Sequence, residues 1–575
     1  MSSNKSSTKG RYVLKDDGLF YVELDVNNID GPEIFLCSKI EVIAKMNDPN
    51  GGNSSILLRW FDGDKVCEMP VLMRDLSFRL RLVVAKLVDR GLSISPLRRN
   101  IELLGHYLMI YQIDEKVTCF NKPGWQDSGG AQGEVFVTPK KIFCMNSNEH
   151  FVYQNSINSG PPYAVSGTSQ DWIDSVAKLA RGNHRLIFAI SLGFAAPLLR
   201  MANMESGGFN FHSGTSCGKT TAAKSTASVY GNPSTYVKPW HATTNGLEGL
   251  AVHYNDAPLI LDELSQIDPQ SLGDAIYMLS NSQGRIRSTS TGALSKSSEW
   301  RLLFLSTGEE TLASLMNRAG MTPNKGQVLR FADIDADAGE NMGIINTLNG
   351  YDSSRKLIDA INQASSKFHG AVGVDWLSCI VKDRQKIIQE MDKNIGKLVN
   401  DLVKNIKNDQ VLRVAKRFAL VALAGELATS YGLTGWAEHE AFNAVSSCFE
   451  SWLKNFGAEE SKILSQVRAF FDLYGNSRFE YVKAPCGNKT FNRAGFYSIE
   501  NEVKTCFFVL PSVFKEEICS GFNEKLVRSV LIKAGWLTEG EDNRPTQKPY
   551  ISSIGKSVRC YCFTQAMWDY DGLDR

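Results

Sequence analysis

The stretch from Phe209 to Tyr230, FNFHSGTSCGKTTAAKSTASVY, reads as a strand, a glycine-bearing loop and a helix. Phe209 and Phe211 form a short apolar run after Gly207-Gly208, and the residues from Thr220 to Val229 have the Ala, Lys and Ser content of a helix. Where a loop turns into a helix, several backbone N–H groups lack intrahelical partners and point one way, so the junction favours an anion. In the pattern G-x-x-x-x-G-K-[ST], the loop of Ser213, Gly214, Thr215, Ser216, Cys217 and Gly218 would cradle the phosphates of ATP. Lys219 would place an ammonium on the outer phosphates, Thr220 would place a hydroxyl on Mg²⁺, and Thr221 follows in the first helical turn. The pattern wants glycine at 213. This chain has Ser213 and then Gly214, which predicts an opening turn displaced by one residue.

Two further apolar runs end in polar tips. Pro258-Leu259-Ile260-Leu261-Asp262-Glu263 predicts a buried strand whose first carboxylate, Asp262, would hold Mg²⁺ through its water shell while Glu263 polarises the attacking water. Trp300 to Glu309, WRLLFLSTGE, predicts a third strand, with one of Ser306 and Thr307 sensing the γ-phosphate. Between them, Ser282 to Lys296 alternates and turns near Thr291-Gly292, which reads as a hairpin carrying Arg285, Arg287 and Lys296. Arg330, just before a strand leading into acidic loops, is placed to reach a neighbouring subunit's γ-phosphate. In the helical region beyond it, Arg413 and Arg417 lie one turn apart, and one of the two is expected to contact the nucleotide in cis.

The 575 residues are too many for one core. The expected architecture is an α/β P-loop NTPase core with a β-rich N-terminal domain, a helical lid and a C-terminal winged helix. Its expected boundaries are a disordered tail at 1–10, the β-rich domain at 11–154, the ATPase core at 155–345, the lid at 346–457 and the winged helix at 458–575. On the last helix of that module Lys525, Arg528 and Lys533 face either duplex DNA or solvent. A formal charge of +1 excludes a globally basic chain, so a DNA surface must be a local patch. Twelve scattered cysteines without a secretory leader fit reduced thiols in the cytoplasm. The most apolar run, Leu186 to Leu199, is too short to span a bilayer and reads as a buried helix, so no membrane partner is expected.

Taken together, Gly124-Trp125, Gly207-Gly208-Phe209, Ser216-x-Gly218-Lys219-Thr220-Thr221, Trp240 with Thr243-x-Asn245-Gly246-Leu247-Glu248, Leu261-Asp262-Glu263-Leu264, Ser306-Thr307-Gly308-Glu309 and Gly326-Gln327 with Arg330 resemble the bacterial family called domain of unknown function 927. Members occur in phages, prophages and other mobile elements, and some look like relatives of the minichromosome-maintenance helicases. The resemblance implies an AAA+ ATPase assembled as a homo-oligomeric ring, a hexamer, with hairpins in a central channel for single-stranded DNA. It gives Lys219 and Thr220 the Walker A roles, Asp262 and Glu263 the Walker B roles, Thr307 or Ser306 that of sensor 1, and Arg330 that of a finger in trans. The function expected is that of a DNA helicase of a mobile element. An ATP-switched replication initiator or regulator, and a remodelling ATPase in phage defence, are the alternatives.

Overall fold

The computed structural model describes residues 10–568 apart from 25–26, 28, 50, 130–132, 146–150, 154–161, 285–296, 322, 405, 486–489, 501–502 and 541–543. At the N-terminal side, strands Gly10–Lys15, Gly18–Leu24 and Asp30–Cys37 form an antiparallel meander. A five-stranded sheet follows, in the order Phe151–Tyr153, Lys116–Phe120, Ile40–Asn47, Ser55–Asp62 and Lys65–Leu72. Its strand Ile40–Asn47 alternates as a half-buried strand should, with Ile40, Val42, Ala44 and Met46 inward and Lys45 in solvent. Helices α1 (Met73–Phe78), α2 (Leu80–Val88) and α3 (Arg98–Ile110) bring Leu76, Val83, Leu87, Leu104 and Leu108 into the same core. The sequence predicts one helix from Leu76 to Asp89; the backbone instead breaks at Arg79, which has φ −135° and ψ 30°.

The centre is a parallel sheet. In chain order it comprises α4 (His184–Ala195), β1 (Gly207–His212), α5 (Lys219–Ser228), β2 (Lys238–Pro239), β3 (Leu259–Asp262), β4 (Leu303–Gly308), α6 (Lys325–Arg330) and β5 (Phe331–Asp335). The strands lie in the order β2-β3-β4-β1-β5, every pair parallel. Layers cover both faces, so the strands are continuous apolar runs rather than alternating ones: Phe209, Phe211, Leu259 to Leu261 and Leu303 to Leu305 are wholly buried. Helix α4, the most apolar run of the chain, is buried at every residue from Arg185 to Ala195.

The later helices Ser354–Lys367, Ala371–Lys382, Arg384–Val403, α7 (Asp409–Ser430) and α8 (Glu440–Tyr474) share one hydrophobic cluster with that sheet. Phe418 on α7 lies with its ring centroid 4.9 Å from Phe209 and 5.7 Å from Phe188. Helix α8 runs unbroken through 35 residues. It leaves Phe449 and Trp452 in the central cluster and carries Ile463, Val467 and Phe471 into a second one. There a five-stranded sheet orders Phe479–Tyr481, Gly495–Glu500, Val503–Val509, Tyr561–Thr564 and Leu537–Thr538 beside α9 (Glu524–Lys533). The sequence predicts two final strands, Tyr550 to Ile554 and Val558 to Phe563, forming a terminal ribbon, and the pairing differs. Tyr550–Ile551 pairs with Lys556–Ser557, while Tyr561–Thr564 joins the sheet through Val503–Val509. Among the described residues no helix is long and apolar enough to cross a membrane.

The Gly124-Trp125 pair ties the N-terminal sheets to the centre. Trp125 is buried in the central cluster, where its backbone N–H donates to Asp256 Oδ2 at 3.0 Å and its indole Nε1 donates to the Pro197 carbonyl at 2.8 Å. Gly124 has φ +87°, and a Cβ there would stand 2.5 Å from Asn255 Nδ2, so both conformation and space require glycine. Asn255 Nδ2 donates to the Pro123 carbonyl and to Asp256 Oδ2, both at 2.8 Å. Glu134 receives Arg200 at 2.6 Å and also pairs with Arg384.

Burial pushes the Asp256 carboxyl up to about 6, against the pull of the Trp125 N–H and of Arg200, Lys122 and Arg301. Below the ordinary carboxyl range, folded and unfolded chains both carry the proton; between that range and about 6 only the folded chain does. Stability from this group therefore falls as pH rises through that window and levels off above it. Asp256→Asn keeps an acceptor toward Trp125 and cannot ionise. Its stability relative to the parent, read by calorimetry, is expected to improve by about 1 kcal/mol between roughly pH 5 and 7.5. A pH-independent difference would mean the carboxyl does not titrate in the interface.

Candidate active site

Three carboxyl ends of strands meet where the sheet order reverses, beside β1, and a ligand crevice forms at such a point. From β1 the chain enters the loop 213–218 and then α5. Ser216 and Gly218 have left-handed backbone, with φ +64° and +96°. A Cβ at Gly218 would lie 2.8 Å from Ile344 Cγ1, so the loop is held closely from outside as well. The displaced glycine turn does not occur. Gly214 is not left-handed and faces open space, so the loop opens without a steric demand for glycine, and Ser213 is anchored by its N–H on the Gly308 carbonyl at 3.3 Å.

Lys219 is buried, and its ammonium donates to the Ser213 and Gly214 carbonyls at 2.7 Å each, with Cys217 Sγ at 3.7 Å. Thr215, Ser216 and Thr220 are exposed, whereas Thr221 is buried. Cys217 serves through its backbone: its carbonyl accepts the Ile344 N–H at 2.9 Å.

Strand register decides between the two hydroxyls at the tip of β4. Leu261 stands opposite Ser306, and successive side chains of a strand point to opposite faces. Thr307 Oγ1 donates to Asp262 Oδ1 and accepts the Glu263 N–H at 3.1 Å, so it joins both carboxylate residues. Ser306 faces the other way, fully buried, and its Oγ accepts the Trp240 indole N–H at 2.9 Å. Trp240 also donates its backbone N–H to the Asp262 carbonyl at 3.1 Å. Glu263 has φ +61°, a strained conformation for this residue type, and its carboxylate accepts the Ser265 hydroxyl at 2.6 Å.

Two residues at the site escaped the sequence reading. His212 ends β1, with Asn455 of α8 3.3 Å from its Nε2. Burial lowers its pKa, Asp335 opposes that and Lys219 adds to it. A polar residue at the tip of an apolar strand just before the loop is the signal that could have found it; nothing local marks Asn455.

The cationic candidates lie elsewhere. Arg330 ends α6, immediately before β5, and Phe331 pairs with Gly208 at the start of β1. The arginine therefore stands at the edge of the sheet opposite Lys219, roughly 17 Å away along the strand. It is half-buried, 5.3 Å from the Tyr277 ring centre, with Nη1 donating to the Gly326 carbonyl at 3.2 Å. Arg413 pairs with Glu205 at 2.5 Å, and Arg417 donates to the Leu329 and Arg330 carbonyls at 3.3 and 3.4 Å. Both lie at that same far edge, because Glu205 precedes β1, so the structure does not bring either to its own chain's loop. The expectation of a nucleotide contact in cis from one of them loses its geometry.

Arg285, Arg287 and Lys296 lie outside the described residues. Their described flanks pair antiparallel, with the Gly284 N–H on the Ser298 carbonyl at 2.7 Å and the Trp300 N–H on the Ser282 carbonyl at 3.0 Å. On α9, Lys525 is exposed, Arg528 lies against the Tyr561 hydroxyl, and Lys533 pairs with Glu460 on α8 at 2.9 Å.

The two hydroxyls should separate experimentally. Ser306→Ala is expected to lower stability by about 1–3 kcal/mol, since it leaves a buried indole N–H without its acceptor. Thr307→Ser, which keeps the hydroxyl, should cost less in the same denaturant titration.

The family model for a domain of unknown function, DUF927, matches residues 12–300. A solved structure described as "SCCmec type IV Cch - active helicase" aligns with a TM-score of 0.68 at 19% identity, over 96% of this chain and 97% of that one, and so shares the fold. NtrX from Brucella abortus bound to ADP aligns over 43% of this chain and 65% of its own at 14% identity, but its TM-score of 0.18 carries no argument. No curated protein matches. With half its length matched by the family model, the chain belongs to the DUF927 family.

Proposed function

We propose that this protein is an ATP-driven DNA helicase of a mobile element, acting in replication as a ring of like subunits, six in number, that share each hydrolytic site. The observation that carries the reading is the division of charged groups between two edges of one parallel sheet. Lys219, Thr220, Asp262 and Glu263 stand at the carboxyl edge and Arg330 at the amino edge. A chain that carries both halves, too far apart to meet, completes a site only against a neighbour.

In this reading the loop from Ser213 to Gly218 and the first amides of α5 hold phosphate oxygens. Lys219 exchanges two loop carbonyls for the outer phosphates. The exposed Thr220 hydroxyl and the Asp262 carboxylate are hard oxygen donors, a set that fits Mg²⁺, which keeps several waters and takes few protein ligands beside phosphate. When bound, the ion neutralises charge on the transferred phosphoryl group. Glu263 orients the attacking water and accepts its proton, its carboxylate steadied by Ser265. Thr307 holds Asp262 and the Glu263 amide in register, so it is the sensor of the pair. Arg330 supplies its guanidinium to the neighbour's γ-phosphate.

The stretch carrying Arg285, Arg287 and Lys296 grips single-stranded DNA in the channel. The C-terminal unit, a winged helix in this reading, meets duplex DNA through Lys525 and Arg528, with Lys533 held back by Glu460. Likeness of fold over nearly the whole chain to a protein described as an active helicase supports a motor rather than a switch.

Lys219→Ala and Arg330→Ala are each expected to reduce ATP turnover at least about a hundredfold. Mixed together, the two should regain part of it, because some interfaces then join an intact lysine to an intact arginine. Silence of the mixture, with mixed rings seen by native mass spectrometry, would overturn the shared site. Unwinding of a forked duplex tests the motor itself: ATP hydrolysis without strand displacement would reduce the protein to a nucleotide-driven switch.

A further inference from the structure

The N-terminal unit has no part in the site above, yet two strongly exposed apolar side chains stand on neighbouring helices there. Phe78, at the end of α1, is 88% exposed, and Leu82 on α2 is 60% exposed. Around them stand Arg74, Arg79, Arg81 and Lys86, all in solvent, against two carboxylates, Asp75 in α1 and Asp89 at the end of α2. Among the described residues, no hydrogen bond or ion pair engages the side chains of Arg74, Arg79 and Arg81. This is unlike the arginines that flank them in the chain, since Arg59 pairs with Glu68, Arg98 with Glu102 and Arg99 with Glu23. Arg74 and Phe78 are four residues apart on α1 and share a face. The Ser77 hydroxyl donates to Met109 Sδ at 3.7 Å, which brings the exposed end of α3 alongside.

We propose that the α1–α2 face is a binding surface for single-stranded nucleic acid, separate from the channel. The unpaired arginines would contact successive backbone phosphates, and Phe78 would stack an unpaired base. Charge complementarity selects a polyanion. An aromatic ring standing free among cations selects an unstacked base over a duplex, whose bases are already stacked inside. The apolar side chains are interleaved with the arginines rather than gathered on one face, which is the wrong pattern for lying in a lipid surface. The proposal deepens the helicase reading, and any role in translocation rests on it. Affinity for a single strand does not require the motor, however, so the two can fail separately.

The test uses the full chain, fluorescein-labelled oligothymidylate and anisotropy without nucleotide over a range of salt. The triple variant Arg74→Glu, Arg79→Glu, Arg81→Glu should weaken binding at least about tenfold and flatten the salt slope by roughly 2, at about 0.7 per lost phosphate contact. Phe78→Ser should weaken binding by about fivefold or more with the slope kept. All four residues are exposed, so melting temperature and DNA-free ATP turnover should match the parent in both variants.

Parent-like affinity and slope in both variants would overturn the proposal, as would a parent that binds no oligothymidylate. So would a shifted elution volume of the triple variant, which would make this face a contact between copies. Sedimentation of the parent with phosphatidylserine vesicles, lost in the variants while oligothymidylate binding persists, would assign the face to a membrane instead. Loss of ATP turnover or strand displacement in the parent would count against the motor and leave the anisotropy result standing.

Discussion

Parallel pairing of β1 with β4 on one side and β5 on the other is the constraint on which the rest of the molecule depends. Parallel strands put all carboxyl ends on one edge and all amino ends on the other. Segments far apart in sequence, Ser213 to Thr220, Asp262 to Glu263 and Ser306 to Thr307, are thereby delivered to one edge of the sheet. The same geometry sends whatever precedes a strand to the opposite edge, where Arg330 stands. Separation of the two halves is thus a property of the sheet, not of any loop.

The amino edge has its own cost. Arg417 is buried without an ion pair among the described residues, and burial pushes its pKa down to about 10, with Arg413 and Arg330 adding to the effect and Glu205 opposing it. It is accommodated because Gly207 has no Cβ; one placed there would lie 2.3 Å from the guanidinium carbon. Its Nη1 satisfies the last carbonyls of α6, the groups a helix end leaves open. One cation therefore fastens α7 to the start of β1 and to the helix that carries Arg330. The absence of a side chain at 207 makes that possible.

Much of the centre could be read from the chain. Buried parallel strands are unbroken apolar runs, so Leu259 to Leu261 and Leu303 to Leu305 announce themselves, as does the all-round apolar α4. What could not be read depends on register or distance. Ser306 and Thr307 are equivalent as letters and are told apart only by which face of β4 meets β3. Arg413 and Arg417 sit on a strongly apolar helix that reads as a lid near the nucleotide, but α7 packs along the sheet toward the amino ends of its strands. The glycine at 214 looked like a displaced turn because the pattern names residue types, whereas the backbone uses Ser216 and Gly218 for its left-handed positions. Arg285, Arg287 and Lys296 stand out by alternation about a turn and by the resemblance, and only their flanks are described. The basic face of α1 and α2 passed unnoticed, since seen as a string it is an ordinary amphipathic helix; exposure of Phe78 sets it apart.

Helix α8 joins the central and C-terminal cores without a break, with Trp452 in one and Ile463 in the other. At 1.5 Å per residue it is a rod of about 52 Å, stiff in torsion over the few turns between the two cores. The spacing between these cores is therefore quantised. One residue more or less would swing the C-terminal unit by about 100° around the rod, whereas seven would return it to within roughly 20° of its starting azimuth. Chain length is usually the most freely varied property of a connection between units; here it is an angular coordinate, and the helical repeat sets which lengths preserve the aim of the C-terminal unit.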